Sequence, residues 1–250
     1  MSTYLISFDD TDNLDSIGTG HVLAGFLKTL PYETGYITRH QLFVNENVPF
    51  TSHNSSMCAT VRVDEAAGGD TAAGTSTIFD ELVDAAARHL QAESADGSDP
   101  GLCVADLDAL TDTDALVEWG LRAKSEVLEK ADAYELAQRC GVHLSEHGGD
   151  GQGVVGALAA VGLRLSGNDG RVRGKVSVEA ERATVAELLA ATGFDRVCAY
   201  GQGELGPACV VELGDGKVKA VYQNFSRTIL VTPAPSGAYR LLDKRHLKRY

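Results

Sequence analysis

The residues best suited to chemistry lie near the N-terminus, in the run Asp9-Asp10-Thr11-Asp12-Asn13. Three neighbouring carboxylates repel one another unless a cation neutralises them. Mg²⁺ prefers oxygen ligands and is commonly held by one or two carboxylates together with substrate phosphates. The same residue types favour tight turns, because Asp and Asn side chains bond to their own backbone. We therefore predict a Mg²⁺ site at Asp9, Asp10 and Asp12, with an Asx-type turn as the alternative.

A second feature follows six residues later, where Gly18-Thr19-Gly20 opens a segment with helical apolar spacing that stops at Pro31. The first amides of a helix and the positive end of its dipole can hold a phosphate. Thr19 is predicted either to cap this helix or to serve as a nucleophile or phosphate acceptor. The two features together are suited to a nucleoside triphosphate bound with Mg²⁺.

A glycine loop lies much further along the chain, in the run GGDGQGVVG over 148–156. It contains the pattern G-x-G-x-x-G, which serves dinucleotide binding only directly after a strand and before a helix. The loop is also consistent with a helix start that holds a nucleotide phosphate at Gly151 and Gly153. A third interpretation is close packing of small residues against another backbone. His143 and His147 flank the loop without a third metal ligand at zinc-like spacing.

These motifs lie on elements of both types. A strand over residues 3–9 runs into the carboxylates, and a loop over 10–18 precedes the first helix. Strands are predicted over 36–45 and 56–63, an amphipathic helix over 76–90, and an unstructured surface segment from Gln91 to Gly101. Further helices are expected at about 112–130 and 132–140. After the glycine loop, a helix, a strand-like run over 171–179, a helix over 183–193 and several short strands give an α+β pattern.

Composition limits the protein class. The chain has 250 residues, of which 44% are hydrophobic and 23% charged, as expected for a folded protein with a sizeable core. It contains no apolar run long enough to span a membrane and no basic, apolar leader, so we expect a cytoplasmic protein without a membrane partner. Five cysteines without a C-x-x-C pair suggest neither a zinc ribbon nor disulfides. The oligomeric state is left open.

Charge is distributed unevenly along the chain. The net charge of −13 argues against a general nucleic-acid binder. However, residues 1–150 carry 8 Lys and Arg against 26 Asp and Glu, whereas the last eleven residues alone hold five positive charges. This basic tail is interpreted either as a solvated surface or as a contact for phosphate or RNA.

The N-terminal pattern resembles the kinase-like domain of the archaeal tRNA-isoleucine agmatidine synthetase family. That resemblance rests on the strand, the Asp-Asp-Thr-Asp run and the threonine-bearing helix start. It rests also on the loop Asn47-Val48-Pro49-Phe50 with the polar residues behind it, and on the segment GVVGALAAVG over 153–162. It implies ATP-consuming chemistry with Mg²⁺ on Asp9, Asp10 and Asp12 and a phosphoryl group received by Thr19, so that Asp10 and Thr19 would be the catalytic residues. Ser52 and Asn54 of the polar loop would help to bind the nucleotide.

The resemblance also predicts the domain organisation. It implies a kinase-like α/β domain over 1–168 and a smaller ferredoxin-like α+β domain over 169–250 that carries the basic tail. The family's synthetases continue into an OB domain and a cysteine-rich zinc ribbon that grip tRNA, and this sequence has no counterpart of either. We therefore do not transfer the wobble-cytidine substrate.

The predicted function is ATP- and Mg²⁺-dependent phosphoryl or nucleotidyl transfer to an RNA or small-molecule acceptor. One alternative is a non-catalytic nucleotide-binding or RNA-associated module, and a second is a dinucleotide-dependent oxidoreductase. The sequence shows no obvious cationic group for the phosphates, and the candidates are Arg39, Arg122, Lys124, Arg164 and Arg227.

Overall fold

The computed structural model describes residues 1–45, 54–64 and 77–250, which divide into two units, Met1–Ser166 and Gly167–Tyr250. The described residues form seven helices and sixteen strands, and the predicted α/β fold class is confirmed. The kinase-like and ferredoxin-like identities of the two parts stay predictions. Among the helices in the described ranges, none combines the length and apolar character needed to cross a bilayer.

The first unit is built on an antiparallel sheet with helices on both faces. Its strands run in the order β6-β5-β1-β4-β3, and the short β2 also pairs with β4. The strands are β1 (Ser2–Asp9), β2 (Glu33–Thr34), β3 (Thr38–Gln41), β4 (Ser55–Val63), β5 (Gly101–Asp106) and β6 (His143–Glu146). The helices are α1 (Thr19–Thr29), α2 (Ile78–Glu93), α3 (Thr113–Arg122), α4 (Lys130–Cys140) and α5 (Gly153–Leu165).

Side-chain alternation along β1 assigns its residues to the two faces of the sheet. Ile6 and Phe8 belong to a core that includes buried side chains of α1 and α2. Leu5 belongs to the opposite core, which the side chains of α3, α4 and α5 complete. The same alternation directs Ser7 and Asp9 toward the face covered by α5.

Small residues let α3 and α5 pack at very short distance. A Cβ atom added at Gly162 would lie 1.8 Å from the carbonyl oxygen of Leu116, and one at Gly120 would lie 2.8 Å from that of Ala159. Either distance is too short for a real side chain, so both positions require glycine. The glycine- and alanine-rich segment over 153–162 therefore serves close backbone packing, one of the interpretations that the sequence allows.

Strand register gathers several loops at one end of this sheet. Asp9, the last residue of β1, lies opposite Gly101, the first residue of β5, and Gly101 also lies opposite Glu146 at the end of β6. Phe8 lies opposite Met57 near the start of β4. The loops that follow β1 and β6, and those that precede β4 and β5, therefore all leave the sheet at the same end.

The predicted unstructured segment from Gln91 to Gly101 is wrong. Helix α2 continues to Glu93, and the Ala95 amide then donates to the carbonyl oxygen of Thr11 at 2.9 Å. The side chain of Asn13 also donates to the Asp96 carbonyl oxygen, at 3.2 Å. Acidic and small residues suggested an exposed linker, whereas long-range hydrogen bonds tie this segment to the loop after β1.

Two other predicted elements are shorter than expected. The strand predicted over 36–45 is limited to β3, and the helix predicted over 112–130 ends at Arg122. The described part of the helix predicted over 76–90 begins at Ile78.

The second unit combines short strands with two helices. Its main sheet runs β7-β14-β15-β16-β12-β9, with β10 parallel to β15 and β11 paired with β10, and β8 pairs separately with β13. Its strands are β7 (Arg171–Val172), β8 (Val176–Ser177), β9 (Arg182–Thr184), β10 (Arg196–Ala199), β11 (Gly203–Glu204), β12 (Val210–Glu212), β13 (Lys217–Val218), β14 (Val221–Gln223), β15 (Ser226–Pro233) and β16 (Tyr239–Leu241), and its helices are α6 (Val185–Thr192) and α7 (Lys244–Leu247). The single strand-like run over 171–179 is thus two short strands.

Candidate functional site

The acidic loop begins with an abrupt change of backbone direction at Asp10. This residue has φ 49°, in the left-handed region that few residues other than glycine adopt. The change occurs directly after β1 ends, so Asp9 still follows the alternation of the strand and Asp10 does not. Left-handed aspartates are tolerated in turns, as the Asx-turn interpretation of this sequence anticipates.

Asp9 is held against helix α5. Only 8% of its surface is exposed, and a Cβ atom added at Gly156 would lie 1.7 Å from its Oδ2 atom. Glycine at 156 is therefore what allows the helix to approach the carboxylate. Burial, followed by repulsion from Asp10 and Asp12, raises the pKa of Asp9 well above its usual value.

Asp10 lies in a wider acidic environment than the motif suggested. Burial raises its pKa to about 6, and repulsion from Asp99, Asp12 and Asp150 adds to the shift. Asp99 immediately precedes β5, and Asp150 belongs to the glycine loop. Carboxylates from three separate segments therefore disfavour the negative charge of Asp10, as expected where a cation would be stabilised.

Thr19 faces the acidic loop from the first turn of α1. It is buried, and its Oγ1 atom donates to Asp12 Oδ1 at 2.8 Å, while its amide lies 3.4 Å from the same oxygen. The residue at the N-cap is Gly18, which makes no side-chain capping bond. Thr19 therefore does not cap the helix, because it is already its first helical residue, and its hydroxyl is paired with a carboxylate instead.

A buried hydroxyl group next to these residues lacks a partner. Thr11 is 1% exposed, and among the described residues its Oγ1 atom finds no hydrogen bond. Leaving a buried polar group unpaired costs about 1–3 kcal/mol. Unpaired groups of this kind are uncommon and often belong to functional sites, so Thr11 supports ligand binding at this end of the sheet.

The glycine loop meets the acidic loop here, although the two are far apart in sequence. The Gly153 amide donates to the Asp99 carbonyl oxygen at 3.1 Å, and a Cβ atom added at Gly153 would lie 2.1 Å from that oxygen and 3.2 Å from the Asp9 carbonyl oxygen. The Gly153 amide at the start of α5 therefore donates to the protein backbone and not to a phosphate. Gly151 has φ +77° and packs against the Glu146 carboxylate. The loop therefore positions acidic segments by close contact.

The strand order around this loop differs from that of a dinucleotide fold. The strand before the loop, β6, pairs antiparallel with β5 at the edge of the sheet. A dinucleotide site needs parallel strands joined by the helix that follows the glycine loop. The described part of the first unit has only antiparallel pairs, so the oxidoreductase interpretation loses its structural basis.

Three cationic side chains lie near this end of the sheet. Arg39 Nε donates to Ser55 Oγ at 2.8 Å, and Lys124 Nζ donates to the Gln41 carbonyl oxygen at 3.1 Å. Lys130 Nζ donates to the Asp150 carbonyl oxygen at 2.6 Å. Lys130 could not be selected from sequence, because its partner lies in a loop twenty residues away.

The other candidate cations are engaged elsewhere. Arg122 forms an ion pair with Glu126 on the surface of α3, at 2.9 Å. Arg164 is buried and donates to the hydroxyl groups of Thr38 and Thr60. Arg227 belongs to the second unit and pairs with Asp195.

The three predicted metal-binding carboxylates do not form a ready-made metal cluster. Within 1–45, 54–64 and 77–250, no group of three or more His, Cys, Asp or Glu side chains is arranged to hold one metal ion. Asp9 is buried against α5, and Asp12 is bonded to Thr19. A divalent ion here would therefore complete its coordination with substrate phosphate oxygens and water, as Mg²⁺ commonly does.

Two predicted nucleotide-binding residues belong to the polar loop before β4. Ser52 lies outside the described residues, as does the Asn47–Phe50 segment. Asn54 donates from its side chain to the Phe43 carbonyl oxygen at 2.6 Å, which fixes the base of that loop. Its role in nucleotide binding stays a prediction.

The histidines flanking the glycine loop form a hydrogen-bonded chain. Ser145 Oγ lies 2.8 Å from His143 Nε2 and 2.9 Å from His147 Nε2. Burial lowers the pKa of both imidazoles.

The raised pKa of Asp10 predicts an unusual dependence of stability on pH. Without metal, the folded state holds this proton up to about pH 6, whereas the unfolded chain releases it near the ordinary pKa of an aspartate, 3.8. Stability conferred by the protonated group is therefore lost as pH rises between these values. We expect Asp10→Asn to be more stable than the natural protein at pH 7 by on the order of 2 kcal/mol, and the difference to shrink near pH 4. Urea unfolding in EDTA at both pH values measures it. A variant less stable than the natural protein at pH 7 would contradict the prediction.

Comparisons with known proteins bear on the fold. No protein-family model and no curated protein sequence matches the chain. A crystal structure of TiaS in complex with tRNA and ATP aligns with a TM-score of 0.50 and 21% identity over 65% of this chain and 36% of that chain. A crystal structure of TiaS in complex with tRNA, AMPCPP and agmatine aligns with a TM-score of 0.51 and 19% identity over 75% of this chain and 43% of that chain. This protein thus spans less than half the length of those chains, and what it shares with them is an α/β fold.

Proposed function

We propose that this protein is an ATP-using, Mg²⁺-dependent phosphoryl-transfer enzyme of the tRNA-modifying type, with Thr19 as the residue that first receives the phosphoryl group. The observation that carries the proposal is the hydrogen bond from Thr19 Oγ1 to Asp12 Oδ1, at a helix start without a side-chain cap and beside the half-buried Asp10. The fold shared with ATP-bound TiaS supports it.

The residues fit the binding of a metal–nucleotide complex. Asp10, with Asp12 and Asp99 beside it, would hold Mg²⁺, which neutralises phosphate charge when it is bound. The start of α1 at Gly18 and Gly20 offers amide groups and a positive dipole end to the phosphates. Arg39 supplies a positive charge for the phosphates. It lies at the same end of the sheet, because its strand partner is Met57 of β4.

The arrangement supports a balanced transfer step. Asp12 accepts the proton of Thr19 as Oγ1 forms a bond to the γ-phosphorus of ATP. The bond between that phosphorus and the β,γ-bridging oxygen breaks, and ADP leaves with its electron pair. A carboxylate at 2.8 Å from the hydroxyl lies within the distance that general-base catalysis requires. The phosphorylated threonine would then pass the group to an acceptor or remain as the product.

Binding of ATP with Mg²⁺ can be tested by thermal unfolding. A ligand that binds only the folded state raises the melting temperature with increasing concentration. We expect ATP to raise it in the presence of Mg²⁺, to have little effect in EDTA, and to have little effect on Asp10→Asn under either condition.

Asp15→Asn is the matched control, because Asp15 is an exposed acid of the same loop. It should respond to ATP and Mg²⁺ as the natural protein does. An equal response in Asp10→Asn, or a response independent of Mg²⁺, would refute the proposed site. ATP binding without transfer of label or formation of ADP would instead support the non-catalytic nucleotide-binding module.

A further inference from the structure

The second unit contains a cavity of about 680 Å³ that is formed in part by the basic C-terminal tail. Its volume lies within the range of small-molecule sites, roughly 300–1,000 Å³. Five cationic side chains line it: Lys217, Lys219, Arg240, Lys244 and Arg245. The proposed function makes no use of this cavity, whose lining residues all belong to the second unit.

Two of the three acidic residues of the lining are already engaged with other groups. Glu212 Oε1 pairs with Arg182 at 2.8 Å and accepts from Ser236 at 2.7 Å. Asp243 accepts from the amide groups of Arg245 and His246 at the start of α7. Neither carboxylate pairs with the guanidinium group of Arg240 or Arg245.

The remaining acid, Asp215, neutralises its lysines only weakly. It lies 3.8 Å from Lys217 Nζ and 3.9 Å from Lys244 Nζ, and all three side chains are largely exposed. Exposed pairs at such distances contribute little. The guanidinium groups of Arg240 and Arg245 form no ion pair within the described part of the chain. They remain available to an anion.

The inner wall of the cavity is apolar. Leu213, Leu230, Leu242 and Leu247 are buried and line it, and Leu241 is partly buried. A guanidinium group binds a phosphate through two parallel hydrogen bonds, and an apolar wall accommodates a ring system. These leucines already pack in the cores of this unit, so a ligand would meet only the parts of them that face the cavity. An inorganic anion alone would leave this apolar wall uncovered, and the lining therefore suits a phosphate monoester with an attached ring.

We propose that the second unit binds a small phosphorylated molecule of nucleotide size in this cavity, with Arg240 and Arg245 holding the phosphate. The ring system lies against the leucines, and the lysines at the rim complete the positive field. The basic tail is thus a part of a binding site, rather than only a solvated segment.

AMP and adenosine are suitable probes, since they differ only by the phosphate. Calorimetric titration of the full chain in EDTA should show binding of AMP and at least about tenfold weaker binding of adenosine, since adenosine lacks the charge-assisted contacts to the arginines. The double variant Arg240→Gln, Arg245→Gln should lose at least tenfold in AMP affinity. Both arginines are exposed, so the variant should fold normally.

Lys248→Gln is the matched control, because Lys248 is an exposed cation of the same tail that does not line the cavity. It should bind AMP as the natural protein does. Equal binding of adenosine, equal weakening by Lys248→Gln, or no AMP binding at concentrations on the order of 1 mM would overturn the proposal. The proposal would also be overturned if AMP did not bind and a short RNA bound equally well with and without a 5′-phosphate. That result would indicate an RNA-binding surface.

The same titration on Asp10→Asn separates this site from the one proposed in the first unit. AMP binding should be unchanged in that variant. Loss of AMP binding in Asp10→Asn but not in the arginine variant would assign the nucleotide to the first unit and refute the cavity.

Discussion

Replacement of Thr19 by alanine is expected to lower the transfer of label from γ-labelled ATP to the protein by at least about 100-fold, since the nucleophile itself is removed. The Thr19 hydroxyl is buried and donates to Asp12 at 2.8 Å. A solvent-exposed threonine elsewhere in the protein is therefore not expected to accept the phosphoryl group in its place. The lost hydrogen bond should cost only about 1 kcal/mol of stability. The variant should therefore remain folded, and gel autoradiography of matched amounts of protein gives the comparison.

Two further variants distinguish the acceptor role from a structural one. Thr19→Ser keeps the hydroxyl and should retain most of the label. Asp12→Asn keeps an oxygen that accepts from Thr19 but is a much weaker base, and it should slow labelling while ATP still raises the melting temperature. Full labelling of Thr19→Ala would assign the phosphate to another residue and remove Thr19 from the mechanism.

Gly101→Ala is expected to destabilise the first unit by about 3 kcal/mol, at the upper end of the usual cost of overpacking. A Cβ atom at this position would lie 2.2 Å from the carbonyl carbon and oxygen of Gly153 and 2.4 Å from the Val154 nitrogen. These are backbone atoms of the glycine loop and α5, which cannot rotate away as a flexible side chain could. Relief of the contact would separate α5 from the start of β5 and displace Asp99.

Gly25→Ala supplies the matched control within the same unit. Its added Cβ atom would meet only the His89 ring, at 3.5 Å, which is an ordinary contact. Because Gly25 lies inside α1, alanine there should leave stability unchanged or raise it by up to about 1 kcal/mol. Urea unfolding followed by circular dichroism compares the two. Equal stability of the two variants would show that α5 does not pack on β5 as described.

The N-terminal part of the candidate site was accessible from sequence because its residues are neighbours in the chain. A strand that ends in aspartates and a helix that begins at a threonine can both be recognised from local spacing. The side-chain partner of Thr19 could not be foreseen in the same way. From sequence, Thr19 could be either a helix cap or a phosphate acceptor, whereas in the structure Gly18 occupies the N-cap and places Thr19 inside the first turn, facing Asp12.

Other parts of the site depend on contacts between distant segments. Asp99 was assigned to an unstructured segment, and Asp150 was regarded only as part of a glycine pattern, yet both raise the pKa of Asp10. Antiparallel pairing of β1, β5 and β6 brings them together. No local sequence pattern encodes that pairing. It depends on how the apolar faces of the strands pack against the helices. The fold class could be predicted from the alternation of elements, but the strand order could not.

A crystal of the protein grown with Mg²⁺ and a non-hydrolysable ATP analogue tests whether Thr19 can receive the phosphoryl group. We expect the triphosphate to lie between the Asp10 carboxylate and the first turn of α1, with its γ-phosphorus in line with Thr19 Oγ1 and the ion in contact with Asp10. Nucleotide bound elsewhere in the first unit, or Asp10 and Thr19 with no phosphate between them, would contradict it.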